Sequence, residues 1–115
     1  MTLRRMISRE LMFSDLFLGF DAMSTVLYYS MILHADDDGF VDVMTTIMRT
    51  IGATKINLEP LLKTGAVIDF RSGVCLIAHW LYHNTPNRPG YKPTKHIMEL
   101  AQVYLDEDTW VYMRK

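Results

Sequence analysis

Apolar residues fall at helical spacing through the first half of the chain and at strand spacing after it. Leu27, Met31 and Ala35 recur at i, i+4 and i+8, with Tyr28 and Ile32 on the adjoining track. So wide a stripe predicts a mostly buried helix over about residues 24–34. Ahead of it, residues 4–8 read as a short strand or extended arm. Ser8 reads as the N-cap of a helical turn, and Asp21 and Ser24 as further cap candidates. Asp36-Asp37-Asp38-Gly39 interrupts the pattern as a turn, and Phe40-Val41 reads as a very short strand. A second helix starts at Asp42 or Val43, carries Val43, Ile47, Met48 and Ile51 on one face, and stops at Gly52. Thr54 then caps a third helix running to about Lys63, with Leu58, Leu61 and Leu62 as its buried face and Gly65 as its terminator. Pro60 falls inside this helix or splits it.

Residues 67–71 and 74–80 are rich in β-branched and aromatic side chains, which predicts two strands. Ser72-Gly73 between them signals a two-residue hairpin turn. Three of the four prolines lie between 86 and 93, a loop or extended tail. A final helix is expected over about 94–105, striped by Ile97, Leu100, Ala101, Tyr104 and Leu105. Trp110-Val111-Tyr112-Met113 is expected to pack back on the domain or to meet a partner.

The order helix, short strand, helix, three-residue turn, helix, hairpin predicts an α+β, mostly α fold. It is that of a winged helix-turn-helix with a two-stranded wing and an additional C-terminal helix. Residues 1–95 form the winged-helix domain, and residues 96–115 form a C-terminal helix and tail on the same domain. In such folds the third helix enters the major groove with its N-terminal residues toward the bases. Those residues are Thr54, Lys55 and Asn57. Lysine reaches phosphate or guanine, and asparagine reads adenine. Arg71 and Ser72 stand at the wing tip, and Arg49 lies beside the turn. Arg4 and Arg5, with Arg88, Lys92 and Lys95, would supply a phosphate-tracking arm. The same cations are also what an ordinary solvated surface carries, and Glu59 on the third helix opposes a phosphate.

Half of the 115 residues are hydrophobic, 22% are charged and the net charge is −1, a globular composition. So neutral a chain excludes a nucleic-acid coat; DNA binding would need a local basic face. The single cysteine, Cys75, excludes an intramolecular disulfide. No stretch reaches the ~18 to 20 apolar residues of a membrane span, so a cytoplasmic protein is expected.

Several of these segments resemble one family. Ala35-Asp36-Asp37-Asp38-Gly39-Phe40-Val41, residues 47–53, Ser72-Gly73-Val74, Ile77-Ala78-His79-Trp80, His83-Asn84 and Tyr91-Lys92-Pro93-Thr94 occur in the order found in the N-terminal domains of phage replisome organisers. These are similar to the winged-helix domain of DnaD-type primosome proteins. The resemblance spans roughly residues 4–95. It implies a phage or prophage protein of the bacterial cytoplasm that binds origin DNA, helps load a replicative helicase and tends to oligomerise. Two departures stand out. Pro86-Asn87-Arg88-Pro89-Gly90 replaces the family's basic run before the tyrosine, and the chain ends at Lys115 without the family's second domain. The expectation is an excised domain or a free-standing relative. The alternative function is a phage protein-interaction module that inhibits a host enzyme or defence complex. A purely oligomerising domain is a third reading. The partners expected are DNA, a host or replisome protein, or a second copy, and no membrane.

No catalytic constellation is expected. The three aspartates fail the spacing of a calcium loop, whose fifth position is Phe40 here. His79 and His83 sit at i, i+4, but at a strand end that spacing is roughly 13 Å along the chain. Cys75 lies in an apolar run where a thiol is inert. Neither a metal nor a cofactor is expected, and the chain is read as no enzyme.

Overall fold

The computed structural model describes residues 4–85 and 88–115. The chain begins with two single-turn helices, α1 (Arg9–Met12) and α2 (Asp15–Leu18), ahead of the long α3 (Ala22–His34). Then come β1 (Phe40–Val41), α4 (Met44–Ile51), α5 (Lys55–Lys63), β2 (Val67–Asp69) and β3 (Cys75–Ile77). The last third holds α6 (Trp80–His83), α7 (Ile97–Leu100), β4 (Val103–Leu105) and β5 (Tyr112–Arg114). The result is an α+β fold, and none of the described helices is long and apolar enough to cross a membrane.

Local chemistry sets the helix boundaries. Of the two cap candidates for α3, Asp21 does the capping: its carboxylate accepts the Ser24 N–H at 2.7 Å. That bond, with the Ser24 side chain, holds the Asp21 carboxyl below its ordinary value. Ser24 itself is fully buried, and its hydroxyl donates to the Asn57 carbonyl at 2.7 Å, bonding α3 to α5. Gly52 closes α4 with φ 76°, a conformation that costs a glycine little. Ala53 then donates back to Met48 at 2.9 Å. Pro60 lies within α5 and does not split it.

The central sheet is antiparallel with strand order β1–β3–β2. Phe40 pairs with Leu76, and Val67 with Ile77. Val41, Val67, Cys75 and Ile77 face the helical core, where Leu27, Tyr28, Met31, Ile32, Leu61 and Trp80 pack. Phe40, Ile68 and Leu76 face the other way and join Val103, with Val111 and Tyr112 against them. Both faces of the sheet are therefore covered, which is why residues 74–78 read as an unbroken apolar run rather than an alternating one.

Three expectations are corrected. The C-terminal helix is a single turn, and Val103–Leu105 is instead a strand paired with Tyr112–Arg114. Ile97, Leu100, Ala101 and Tyr104, the expected buried stripe, are exposed, whereas Val103 is buried. Tertiary packing decided this: the second face of the sheet needs an apolar cover, and a hairpin presenting Val103 and Tyr112 supplies it. The strand expected over 74–80 stops at Ile77, so His79 precedes α6 and His83 ends it. The wing turn is longer than two residues. The Phe70 N–H bonds the Val74 carbonyl at 3.1 Å across Arg71, Ser72 and Gly73, with Arg71 at φ 59° and Gly73 at φ 91°. Residues 4–8 are an extended arm rather than a strand.

Candidate nucleic-acid interface and the aspartate lock

Two of the segments that carry the resemblance, residues 35–41 and 91–94, meet in one hydrogen-bonded network. Asp36 Oδ1 accepts the N–H groups of Asp38 and Phe40, both at 3.0 Å, and its Oδ2 accepts the Thr94 hydroxyl at 2.6 Å. Asp37 Oδ1 receives Arg5 and Arg88, both at 2.9 Å, and its Oδ2 receives the Lys92 N–H. Asp38 accepts the Tyr91 hydroxyl at 2.7 Å and the Thr94 N–H at 2.7 Å. Partial burial pushes the Asp37 carboxyl up, but the Lys92 N–H and the two guanidinium groups outweigh it and hold it below the usual range. The Tyr91 phenol, donating to Asp38, is pushed up to about 12. All three carboxylates are thus used internally to clamp residues 91–94 onto the turn. Among the described residues no group of three or more His, Cys, Asp or Glu is arranged to hold a metal ion.

Trp80 completes the lock. Its indole N–H donates to the Asp37 carbonyl at 2.9 Å, and the Arg5 guanidinium lies 5.3 Å from its ring centroid. Gly39 is required here twice over. Its φ is 91°, and a Cβ would stand 2.6 Å from Trp80 Cγ. His83-Asn84 straps down the N-terminal arm. Asn84 takes the Met6 N–H at 2.9 Å and returns its own N–H to the Met6 carbonyl. His83 Nδ1 accepts the Ser8 N–H at 2.8 Å, which leaves the ring proton on Nε2, 2.8 Å from the Tyr28 hydroxyl. Burial, with the neighbouring His79, pushes the His83 pKa down to about 4, so the ring is neutral at physiological pH.

The residues expected to meet DNA separate into two groups. Arg49, Thr54 and Lys55 are exposed around the α4–α5 turn, and Arg71 is exposed at the wing tip. Beside Arg71 a cleft of about 450 Å³ is lined by Thr45, Thr46, Leu58 and Gly73 and by the carboxylates Asp42 and Asp69. Cys75 reaches its floor, with a thiol pushed up to about 12 by burial and by Asp69, which makes it a poor nucleophile. Arg4, Lys92 and Lys95 are exposed as well, Lys95 lying 3.6 Å from Asp42.

Four expected contacts have other work. The Arg5 side chain is only 5% exposed and, besides Asp37, donates to the Ala35 carbonyl. Arg88 shares Asp37 with it. Asn57 Oδ1 accepts the Thr54 N–H at 2.9 Å, closing the first turn of α5 rather than facing outward. The Ser72 hydroxyl donates to Glu99 at 2.7 Å. Sequence reasoning missed Lys63 and Ile56, both exposed on α5, the latter at 75%.

The chain matches no family model, no curated protein and no solved structure. The arrangement of these side chains is therefore what a functional reading has to rest on.

Proposed function

We propose that this chain is a winged-helix module that binds DNA by α5 and the β2–β3 wing, and that it acts by binding rather than by catalysis. One observation carries the reading: the order α3–β1–α4–α5–β2–β3 with strand order β1–β3–β2. That is a helix-turn-helix followed by a hairpin packed against its own first strand. Arg49, Lys55, Lys63 and Arg71 stand exposed on this unit. They are cations available for backbone phosphates, while Asn57 is committed to its cap, so binding that tracks phosphate is favoured over base reading. The replisome-organiser resemblance points the same way and narrows the proposal to a replication-initiation role in a phage setting.

The test is a binding titration of the chain on short double-stranded DNA at low salt. Lys55→Ala/Arg71→Ala is expected to weaken binding about tenfold or more, roughly the worth of two charge-assisted contacts. Folded protein that ignores DNA would overturn the reading. The alternative, a protein-interaction module on the same fold, is favoured by Ile56, which is 75% exposed in the first turn of α5 beside Lys55. An apolar side chain there suits a protein surface better than a phosphate backbone. Ile56→Lys separates the two: it strengthens a DNA contact and weakens a protein one.

A further inference from the structure

A second surface lies at the other end of the chain. Leu81 and Tyr82 of α6, with Thr85 and Trp110, line a mostly apolar groove of about 530 Å³. The Tyr82 hydroxyl donates to the Thr109 carbonyl, which anchors the ring against the turn between β4 and β5. Trp110 is 57% exposed although its N–H is bonded to the Asp106 carbonyl at 2.7 Å and its φ is 59°. The backbone of this turn is thus ordered while its largest side chain is left in water. The turn beside the groove is acidic: residues 104–111 hold Asp106, Glu107 and Asp108 and no lysine or arginine, and residues 74–85 hold no lysine, arginine or carboxylate. Glu107 and Asp108 are exposed and make no ion pair among the described residues.

We propose that this groove binds a protein segment carrying lysine or arginine beside an aliphatic residue. The aliphatic side chain lies against Leu81 and Tyr82, the cation stacks on the exposed face of Trp110, and Glu107 and Asp108 complement its charge. Charge complementarity chooses this occupant over the others. A nucleic acid is repelled by the three carboxylates of the turn, and a second copy docked symmetrically brings the same acidic turn to the contact. The groove shares no lining residue with α4, α5 or the wing, so the proposal stands independently of DNA binding.

The test uses the full chain and two amidated pentapeptides, alternating leucine–arginine and alternating leucine–glutamate, followed by proton NMR. The two tryptophan indole N–H signals serve as reporter and control, because Trp80 is fully buried and bonded to Asp37. The arginine peptide is expected to shift the Trp110 signal saturably, with a Kd of about 1 mM or tighter, and to leave Trp80 in place. Glu107→Lys/Asp108→Lys is expected to weaken it about tenfold. So is Trp110→Gly, which removes the ring while suiting the left-handed backbone; its binding is read on the Leu81 and Tyr82 amides. An unchanged Trp80 signal shows that each variant is folded. No saturable shift, equal binding of the glutamate peptide, or wild-type affinity in either variant would overturn the proposal.

Discussion

The α4–α5 pair with its β2–β3 hairpin and the C-terminal β4–β5 hairpin are charged oppositely. Residues 43–73 set Arg49, Lys55, Lys63 and Arg71 against Glu59 and Asp69, whereas the hairpin of residues 103–114 sets Asp106, Glu107 and Asp108 against Arg114. Each region ends in a tight turn, and each turn holds a non-glycine residue at φ 59°: Arg71 in one, Trp110 in the other. These are the two such residues among the described part of the chain. Left-handed backbone is costly for a side chain with a Cβ and persists where the surrounding turn enforces it. Both turns leave the side chain exposed, a guanidinium in one and, next to Glu107 and Asp108 in the chain, an indole in the other. On the two proposed readings, a chain whose net charge is −1 turns one face to phosphate and another to a cation, a contrast that the overall charge hides.

Both regions hang on one frame, the sheet and the aspartate lock, and breaking the frame is expected to lose both. The largest effect belongs to Gly39→Ala. A methyl group 2.6 Å from Trp80 Cγ at φ 91° meets the ring of a fully buried tryptophan. A loss of about 3 kcal/mol or more is expected in urea unfolding, with both binding activities falling together. Survival of one activity in that variant would show that the two regions do not share a frame.

A pH titration is next in size. The His83 pKa is lowered from 6.5 to about 4 by burial, so the folded state resists a proton that the unfolded chain accepts. Its contribution is complete above about pH 6.5 and is lost as pH falls toward 4, a decline on the order of 3 kcal/mol. The Asp37 carboxyl is also lowered, from 3.8, so its contribution lasts until more acid conditions and lies outside the His83 window. Thermal melts between pH 7 and 4 should therefore fall for the wild type and fall less steeply for His83→Gln, where His79, also lowered by burial, still contributes a decline of the same sign. A variant profile as steep as the wild type's would remove His83 from the account.

Ser24→Ala tests the joint between α3 and α5. It removes a buried hydroxyl and leaves the Asn57 carbonyl without that donor, at a cost of about 1 to 2 kcal/mol in chemical denaturation. The smallest change sharpens the comparison most. Arg71→Gly relieves the left-handed strain and is expected to raise stability by about 1 kcal/mol while weakening DNA binding. It should leave the arginine peptide's contact with Trp110 untouched.

The two regions also differed in how far their sequence could be read. α4 and α5 were legible because Gly52 and Thr54 mark their ends and Ile47 and Leu61 mark their buried sides. The cap role of Asn57 was legible too, because Thr54-x-x-Asn57 has the spacing of a capping box. The C-terminal hairpin was illegible. Ile97, Leu100, Ala101, Tyr104 and Leu105 fit a helical period, and nothing local reports that the distant sheet needs covering by Val103. Arg5 and Arg88 read as free cations because their partner, Asp37, is 32 and 51 residues away in the chain. The ADDDG and YKPT segments could be recognised as motifs, but only the fold reveals that they bond to one another.

The central claim, that the basic region engages the DNA backbone, is tested most directly by the salt dependence of DNA affinity. Four phosphate contacts from Arg49, Lys55, Lys63 and Arg71 predict a log–log slope of about −3.6, falling to roughly −1.8 in Lys55→Ala/Arg71→Ala and unchanged in Glu107→Lys/Asp108→Lys. A slope near zero, or one that the loss of Lys55 and Arg71 leaves unaltered, would contradict the assignment of DNA binding to α5 and the wing.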